Sequence, residues 1–416
     1  MNYSKSKIYD IAIIGGGAAG MMAATEAKKP SNSVVIIEKN SGLARKIFAT
    51  GNGRCNITNK FIDISRYHGG SPESIKSVID QFDQRKTMDF FENLGLVLKE
   101  ENLGRIFPRT DQASSVVDAL THEITSKKID LKLDAAVSEI EKRFNIFEIK
   151  SQSNEIILAQ KIIITAGGQA AAHLGTSGDA YTWIRKLGHK TTEIYPALSP
   201  LEAKESWIKA VQGLKVIANA SVTVNGTIIN QKVGDVLFTH FGLSGPAVMA
   251  LAGSIGKYLP KDKVIVHLDL FHDESPKELD TKLAKIITVA GSKSIKNVIA
   301  GAIPKNLSPI ILKLSNIDPE RKSAEISKLD RQKIATTLKN IEIVTTGVRP
   351  FREAQVTHGG IDLAEINCQT MESKIVSGLF LAGEVLDVDG DSGGFNLQWA
   401  WSSGHLAGQS AANRRD

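Results

Sequence analysis

The sequence predicts an α/β fold in which a parallel-sheet, nucleotide-binding domain is interrupted by an inserted unit of short strands and helices. Three observations carry this expectation. An apolar run, Ile11-Ala12-Ile13-Ile14, enters the glycine cluster Gly15-Gly16-Gly17-Ala18-Ala19-Gly20 and then a helical stretch. From Ile194 the texture changes to alternating, β-branched segments, and from Ser275 to a Lys/Leu/Ile/Ala-rich run. After Gln355 the glycine- and strand-rich texture of the N-terminal third returns. The expected domains are therefore 1–193 with 355–416, and an insert over 194–354 whose small barrel or sandwich covers about 194–272 and 341–354 and whose helical bundle covers about 273–340.

Taken in order, Ile11–Ile14 reads as a buried strand, the glycine cluster as a tight turn, and Met21 to Lys28 as a helix that Pro30 stops. Val34 to Ile37 is a second strand ending in Glu38, so the unit is a right-handed crossover between parallel strands. Ser71-Pro72-Glu73 is an N-cap with proline at the first helical position, and the spacing of Ile75, Val78, Ile79 and Phe82 predicts one helix over 72–93. A helix follows over 113–127, then β-rich segments over 131–142, 145–150 and 155–159, and a central strand entering the turn Thr165-Ala166-Gly167-Gly168. In the insert, 214–224, 227–238 and 263–270 read as strands, with a hairpin turn at Asn225-Gly226. Pro304, Pro309 and Pro319 break the following stretch into three or so short helices.

Composition excludes several classes. With 416 residues, 42% hydrophobic and 23% charged, the chain has a globular balance. It lacks any apolar run of about 18 residues, so no membrane association is expected. Two cysteines, Cys55 and Cys368, argue against a disulfide scaffold or zinc ribbon; no metal site is expected, and the chain reads as cytoplasmic. The net charge of +6 is concentrated: segment 273–340 holds 13 Lys/Arg against 8 Asp/Glu. That run is either a solvated helical face or a contact for a polyanion.

Gly15, Gly17 and Gly20 sit between a strand and a helix, with an acid closing the next strand 18 residues after Gly20. Gly15 permits the turn, Gly17 lets backbone approach a pyrophosphate, and Gly20 lets the helix pack on the sheet. Glu38 suits ribose hydroxyls and repels a 2′-phosphate. FAD and NAD share this pattern. FAD is favoured by the strand-turn at Ala166 and Gly167, by a second one at Gly383-Glu384, and by the turn Gly390 to Asn396 before a helical segment, while no second fingerprint follows a strand.

The fingerprint, the block Gly42 to Asn59, the block Phe238 to Pro246 and the stretch Gly383 to Trp401 together resemble the BaiN/RdsA-type NAD(P)/FAD-dependent flavoproteins nearly end to end. The resemblance implies a glutathione-reductase-like FAD-binding domain of Rossmann type, interrupted by a β-barrel and a small helical bundle. It implies FAD contacts at Gly15, Gly17, Ala18, Ala19 and Gly20 (pyrophosphate), Glu38 (ribose), Arg45 and Lys46 (phosphate charge), Asn52 to Asn56 with Arg54 (flavin side) and Val137 (adenine). Glu384, Asp391, Asn396 and Leu397 are expected at the ribityl chain and pyrimidine ring.

For proton chemistry the candidates are Cys55 and His240, with His358 beside Gly359-Gly360 as a third; inert packing or a turn role is the competing reading of each. Cys368 is assigned no role. Reduced flavin delivers hydride to electron-poor alkenes. The reading ranked first is reduction of uridine in ribosomal RNA with NAD(P)H as electron donor, the RNA held by segment 273–340. The alternatives are oxidation or reduction of a small molecule, as an enone reductase or amine oxidase, and a non-catalytic binding protein.

Overall fold

The computed structural model describes residues 7–259 and 261–413, which divide into two compact units, Met1–Tyr195 with Gln355–Asp416, and Pro196–Ala354.

In the first unit, strands β1 (Ile8–Ile14), β2 (Val34–Ile37), β3 (Asp130–Lys132), β4 (Ile156–Ile164) and β5 (Leu379–Leu381) form a parallel sheet ordered β5-β4-β1-β2-β3. Ile13 stands between Ile36 and Ile163 in register. Its strand is covered on both faces, which is why Ile11 to Ile14 is a continuous apolar run rather than an alternating one. The first half of β4 also pairs antiparallel with Ile146–Ser151, which continues into Val137–Arg143. The stretch 131–142, expected as one strand, is thus two. Asp134, at φ +53°, ends the parallel strand, and the chain re-enters the sheet in the antiparallel meander.

The helix after the glycine turn, α1 (Ala18–Ala27), is buried over almost its whole surface, with Met21 and Met22 fully enclosed. The C-terminal helix α2 (Phe395–Ala412) lies against it. A Cβ on Gly404 would come within 2.5 Å of the Ala19 carbonyl oxygen, and one on Gly408 within 2.3 Å of that of Ala23. The matched steps of four residues show that the helices run parallel at backbone contact.

Residues 72–93 form two helices, Pro72–Gln81 and Gln84–Asn93, not one. Phe82 leaves the helical region at φ −140°, and the Asp83 carboxylate accepts from the Lys86 amide as the cap of the second helix. An Asp at that position competes with helix continuation.

The second unit is built on a closed barrel of six strands in the order 201–203, 242–244, 227–238, 215–224, 264–269 and 341–348. Asn225 and Gly226 take φ of +49° and +87°, the hairpin geometry expected of this dipeptide. Alternation buries Val216, Ala218, Ala220 and Val222 while Ile217 faces out. Four helices follow where three or so were expected: Pro276–Ala290, Ile295–Ile299, Ser308–Leu314 and Lys328–Lys339. Reciprocal capping boxes, Ser275 with Glu278 and Ser327 with Asp330, start the first and last.

Candidate functional site

Four sequence-distant motifs meet at the carboxyl ends of adjacent parallel strands. Glu38 follows β2, Gly15 follows β1, Ala166 and Gly167 follow β4, and Gly383 and Glu384 follow the strand that ends at Leu381. Because β1 has its sequential partner β2 on one side and β4 on the other, its end is the topological switch point of the sheet, where crevices open. A Cβ on Gly15, at φ +105°, would lie 2.7 Å from the Thr165 carbonyl oxygen, and one on Gly20 would lie 1.9 Å from that of Gly15. Thr165 closes the junction by donating from Oγ1 to the Gly15 carbonyl at 2.8 Å. That role was not legible in the sequence, where Thr165 is only a polar residue ending a strand.

Beside these crowded glycines Gly17 is different, since a Cβ there would meet nothing within 4 Å. It is also the N-cap of α1, whose amides receive no side-chain cap. An uncapped helix N-terminus with open space beside it is suited to a phosphate. The Glu38 carboxylate is fixed next to this turn: Oε2 accepts from the Gly16 amide at 2.7 Å, and Oε1 from the Asn40 amide at 2.9 Å. The Ala135 amide donates to the Glu38 carbonyl, which brings the segment leading to Val137 to the same end of the sheet.

The expected cations are placed differently. Arg45 is exposed at the start of a short helix, Arg45–Ala49. Lys46 pairs with Glu384 at 2.5 Å, both side chains about a quarter exposed or less, and the other Glu384 oxygen accepts from the Thr357 amide. Arg54, expected on the flavin side, is held by carboxylates. Its guanidinium pairs with Glu101 at 2.9 Å and Asp111 at 3.5 Å and lies over the Phe107 ring, so it clamps the small sheet formed by 58–59, 98–101 and 105–108. Asn52 is exposed and left-handed at φ +56°. In the same block, Asn56 Oδ1 is buried with no hydrogen-bond partner among the described residues.

The turn before α2 is internally braced. Asn396 accepts from the Gly390 amide and donates to the Gly390 carbonyl, while Leu397 is half-buried against the core. Asp391, only 4% exposed, binds Arg66 Nε at 2.9 Å and His68 Nε2 at 3.1 Å. Arg66 and His68 carry no motif. Only the antiparallel pairing of Tyr67–Gly69 with Val388–Gly390 brings them to Asp391.

The proton candidates separate clearly. Cys55 is fully buried and burial pushes its thiol up to about 12, so it remains a neutral thiol and the expectation that it moves protons is corrected. His240 lies in the second unit, exposed on the turn between 227–238 and 242–244, with its ring edge-on to Phe241. His358 belongs to the first unit, and its Nδ1 lies 2.7 Å from Asp389 Oδ1.

The residues present fit FAD. Gly17 leaves room where a pyrophosphate would approach, the Glu38 carboxylate is fixed beside that turn where a ribose would lie, and Asn56 Oδ1 is a buried acceptor with no partner among the described residues. From the register with α1, the N-terminus of α2 projects about 12 Å beyond that of α1 at 1.5 Å per residue. It too lacks a side-chain cap. Two parallel, uncapped helix starts offset in this way suit an extended dinucleotide that meets one at its pyrophosphate and the other at its flavin.

Comparison with known proteins agrees with this geometry. The chain is 33% identical to a 3-dehydro-bile acid delta(4,6)-reductase of Clostridium scindens, over 97% of this chain and 99% of that one. It is 32% identical to a ribosomal RNA dihydrouridine synthase of Escherichia coli, over 96% and 97% respectively. In fold it is similar to a flavocytochrome c3 fumarate reductase (TM-score 0.51, 13% identity, 98% of this chain and 79% of that one). It is similar as well to a 3-ketosteroid delta1-dehydrogenase of Sterolibacterium denitrificans (TM-score 0.50, 11% identity, 98% and 100%). The family model described as HI0933-like protein Rossmann domain matches residues 9–410. With that match over nearly the whole length, and with glycine turns and helix starts arranged for a dinucleotide, the chain belongs to the HI0933-like Rossmann family, the BaiN/RdsA-type flavoprotein oxidoreductases.

Proposed function

We propose that this flavin-dependent oxidoreductase reduces a carbon–carbon double bond conjugated to a carbonyl, that its electron donor is NAD(P)H, and that its substrate is uridine in ribosomal RNA. When bound, FAD would supply the chemistry of hydride transfer between a nicotinamide and an electron-poor carbon. The chain's part is positional and electrostatic. The α1 N-terminus and Gly17 hold the pyrophosphate, Glu38 holds the adenosine ribose, and the segment leading to Val137 borders adenine. Lys46 and Glu384 tie the block 45–56 to the end of the central sheet. The α2 N-terminus, with the turn braced by Asn396 and Asp391, stabilises negative charge at the pyrimidine side of the ring.

The observation that carries the RNA reading is the distribution of charge in the helical segment. Of its 13 Lys/Arg, Lys282, Lys296, Arg321, Arg331 and Lys339 are in ion pairs. Lys277, Lys285, Lys293, Lys305, Lys313, Lys322, Lys328 and Lys333 are exposed and in no ion pair among the described residues. Such a set grips phosphates by releasing counterions, and the target base leaves its stack to reach the flavin.

A second reading, reduction of a conjugated enone in a small molecule, is supported by the full-length similarity to the bile acid reductase. One experiment separates the two. The flavin-loaded protein is reduced with NADPH or NADH without oxygen and mixed either with ribosomal RNA from a strain lacking this gene or with a 4-en-3-one steroid. Reoxidation by the RNA, slowed by salt and accompanied by dihydrouridine in its mass spectrum, is the expected result. Reoxidation by the steroid alone assigns the small-molecule reading.

A further inference from the structure

Strand 388–390 and its flanks place three carboxylates at a period of two: Asp387, Asp389 and Asp391. Asp391 is taken by Arg66 and His68. Asp389, 3% exposed, faces the imidazole of His358, whose side chain is 27% exposed. The backbone on either side of His358 is anchored to the turns that end the central strands. Thr357 Oγ1 accepts from the Gln169 and Ala170 amides at 2.8 and 2.9 Å, just past Gly167, and the Thr357 amide donates to Glu384. On the other side Gly360 packs so tightly on Leu386 that a Cβ would lie 2.6 Å from its carbonyl carbon. His189 offers the contrast: its ring nitrogens lie at 2.9 Å from Glu365 and 2.8 Å from Ser373, and its side chain is fully buried, so it is a packing residue.

An imidazole held at Nδ1 by a buried carboxylate, partly open to solvent and rooted in the flavin-side turns, has the form of a proton donor. We propose that His358, oriented by Asp389, is the acid that completes reduction of the double bond. The inference rests on the reading of C=C reduction given above. Hydride from the reduced flavin forms a C–H bond at the β-carbon, the π pair moves to the α-carbon and its carbonyl oxygen, and the protonated imidazole then gives its Nε2 proton to the α-carbon. The N–H bond breaks, a second C–H bond forms, His358 is left neutral and recovers a proton from water, and NAD(P)H restores the flavin. Asp389 is a positioning residue: its carboxylate accepts from Nδ1 and so leaves the transferable proton on Nε2 of a side chain that is 27% exposed. Asp387 also interacts with His358 and with Asp362, Glu384 accepts from the neighbouring Thr357 amide, and His68 binds Asp391 two residues beyond Asp389.

The test separates the half-reactions. In His358→Gln, bleaching of the flavin by NAD(P)H is expected at the wild-type rate, whereas anaerobic reoxidation by whichever of the two acceptors the wild type uses is expected to slow by about 100-fold. In D2O the wild type is expected to place deuterium on one face of the α-carbon, and the variant on both. The dyad is also read without turnover: the nitrogen-bound imidazole hydrogen signal of His358 in a 15N-histidine NMR spectrum is expected to disappear in Asp389→Asn. An unchanged reoxidation rate with unchanged facial selectivity in His358→Gln overturns the assignment, as does an unchanged imidazole signal in Asp389→Asn. A wild type whose reduced flavin is reoxidised by neither acceptor overturns the reading of C=C reduction, and the proton step with it.

Discussion

Gly408 on the C-terminal helix faces Ala23 on α1 at backbone contact: a Cβ on Gly408 would lie 2.3 Å from the Ala23 carbonyl oxygen. Both helices would have to separate to accept a side chain there. Gly408→Ala is therefore expected to destabilise the protein by about 1–3 kcal/mol despite alanine's better helix propensity. Urea unfolding of the variant and wild type checks this.

Gly17 gives the opposite expectation for stability. Its φ of −82° suits any residue, and a Cβ there meets nothing within 4 Å. Gly17→Ala should unfold at the wild-type urea concentration when free of FAD. On the proposed placement of the pyrophosphate the added methyl would occupy its approach, so FAD affinity should fall by about tenfold or more, some 1.4 kcal/mol. A titration of the flavin absorbance or fluorescence measures it.

Lys46 and Glu384 pair across 338 residues of sequence. Glu384→Gln keeps an oxygen for the Thr357 amide but loses the ion pair, at a cost of about 1 kcal/mol for a part-buried charge-assisted contact. The loss should shrink in Lys46→Met/Glu384→Gln relative to the sum of the single changes, a coupling that a double-mutant cycle in urea reads out.

Burial raises the Cys55 thiol from its ordinary 9.0 to about 12. A raised thiol means that the unfolded chain releases its proton first. The stability contributed by burying the neutral thiol is complete below about 9 and is lost as the pH climbs towards 12. At pH 8 a thiol reagent should leave Cys55 unmodified in the folded protein and react with both cysteines in denaturant. Cys55→Ala should retain flavin reduction and reoxidation.

Desolvation raises the Asp387 carboxyl, with Asp389 and Asp362 adding to the effect and His358 opposing it. Ionised Asp387 thus costs stability at neutral pH, a cost relieved as the pH falls and the carboxyl protonates. Asp387→Asn should raise the thermal midpoint at pH 7, and the gain over wild type should narrow towards pH 4.

Much of the nucleotide end was legible because its signals are local. Gly15 needs a positive φ, Gly20 needs to lack a Cβ, and Glu38 ends the next strand, all within one β-α-β unit whose periodicities are visible in the chain. The Asn225-Gly226 hairpin and the Ser71 cap were legible for the same reason. Local signals also misled: the helical spacing over 72–93 hid the Asp83 cap, and Cys55 looked like a proton-moving residue when it is enclosed.

Backbone dihedral preferences and hydrophobic periods are properties of a few consecutive residues, so the sequence by itself determined the strand-turn-helix units, the barrel hairpin and the α/β class. Which side chain meets which depends on strand order and helix register, which are settled by burying the whole apolar surface at once. Only the tertiary structure could therefore pair Lys46 with Glu384, Asp391 with Arg66 and His68, and Asp389 with His358, and only it could explain Gly404 and Gly408.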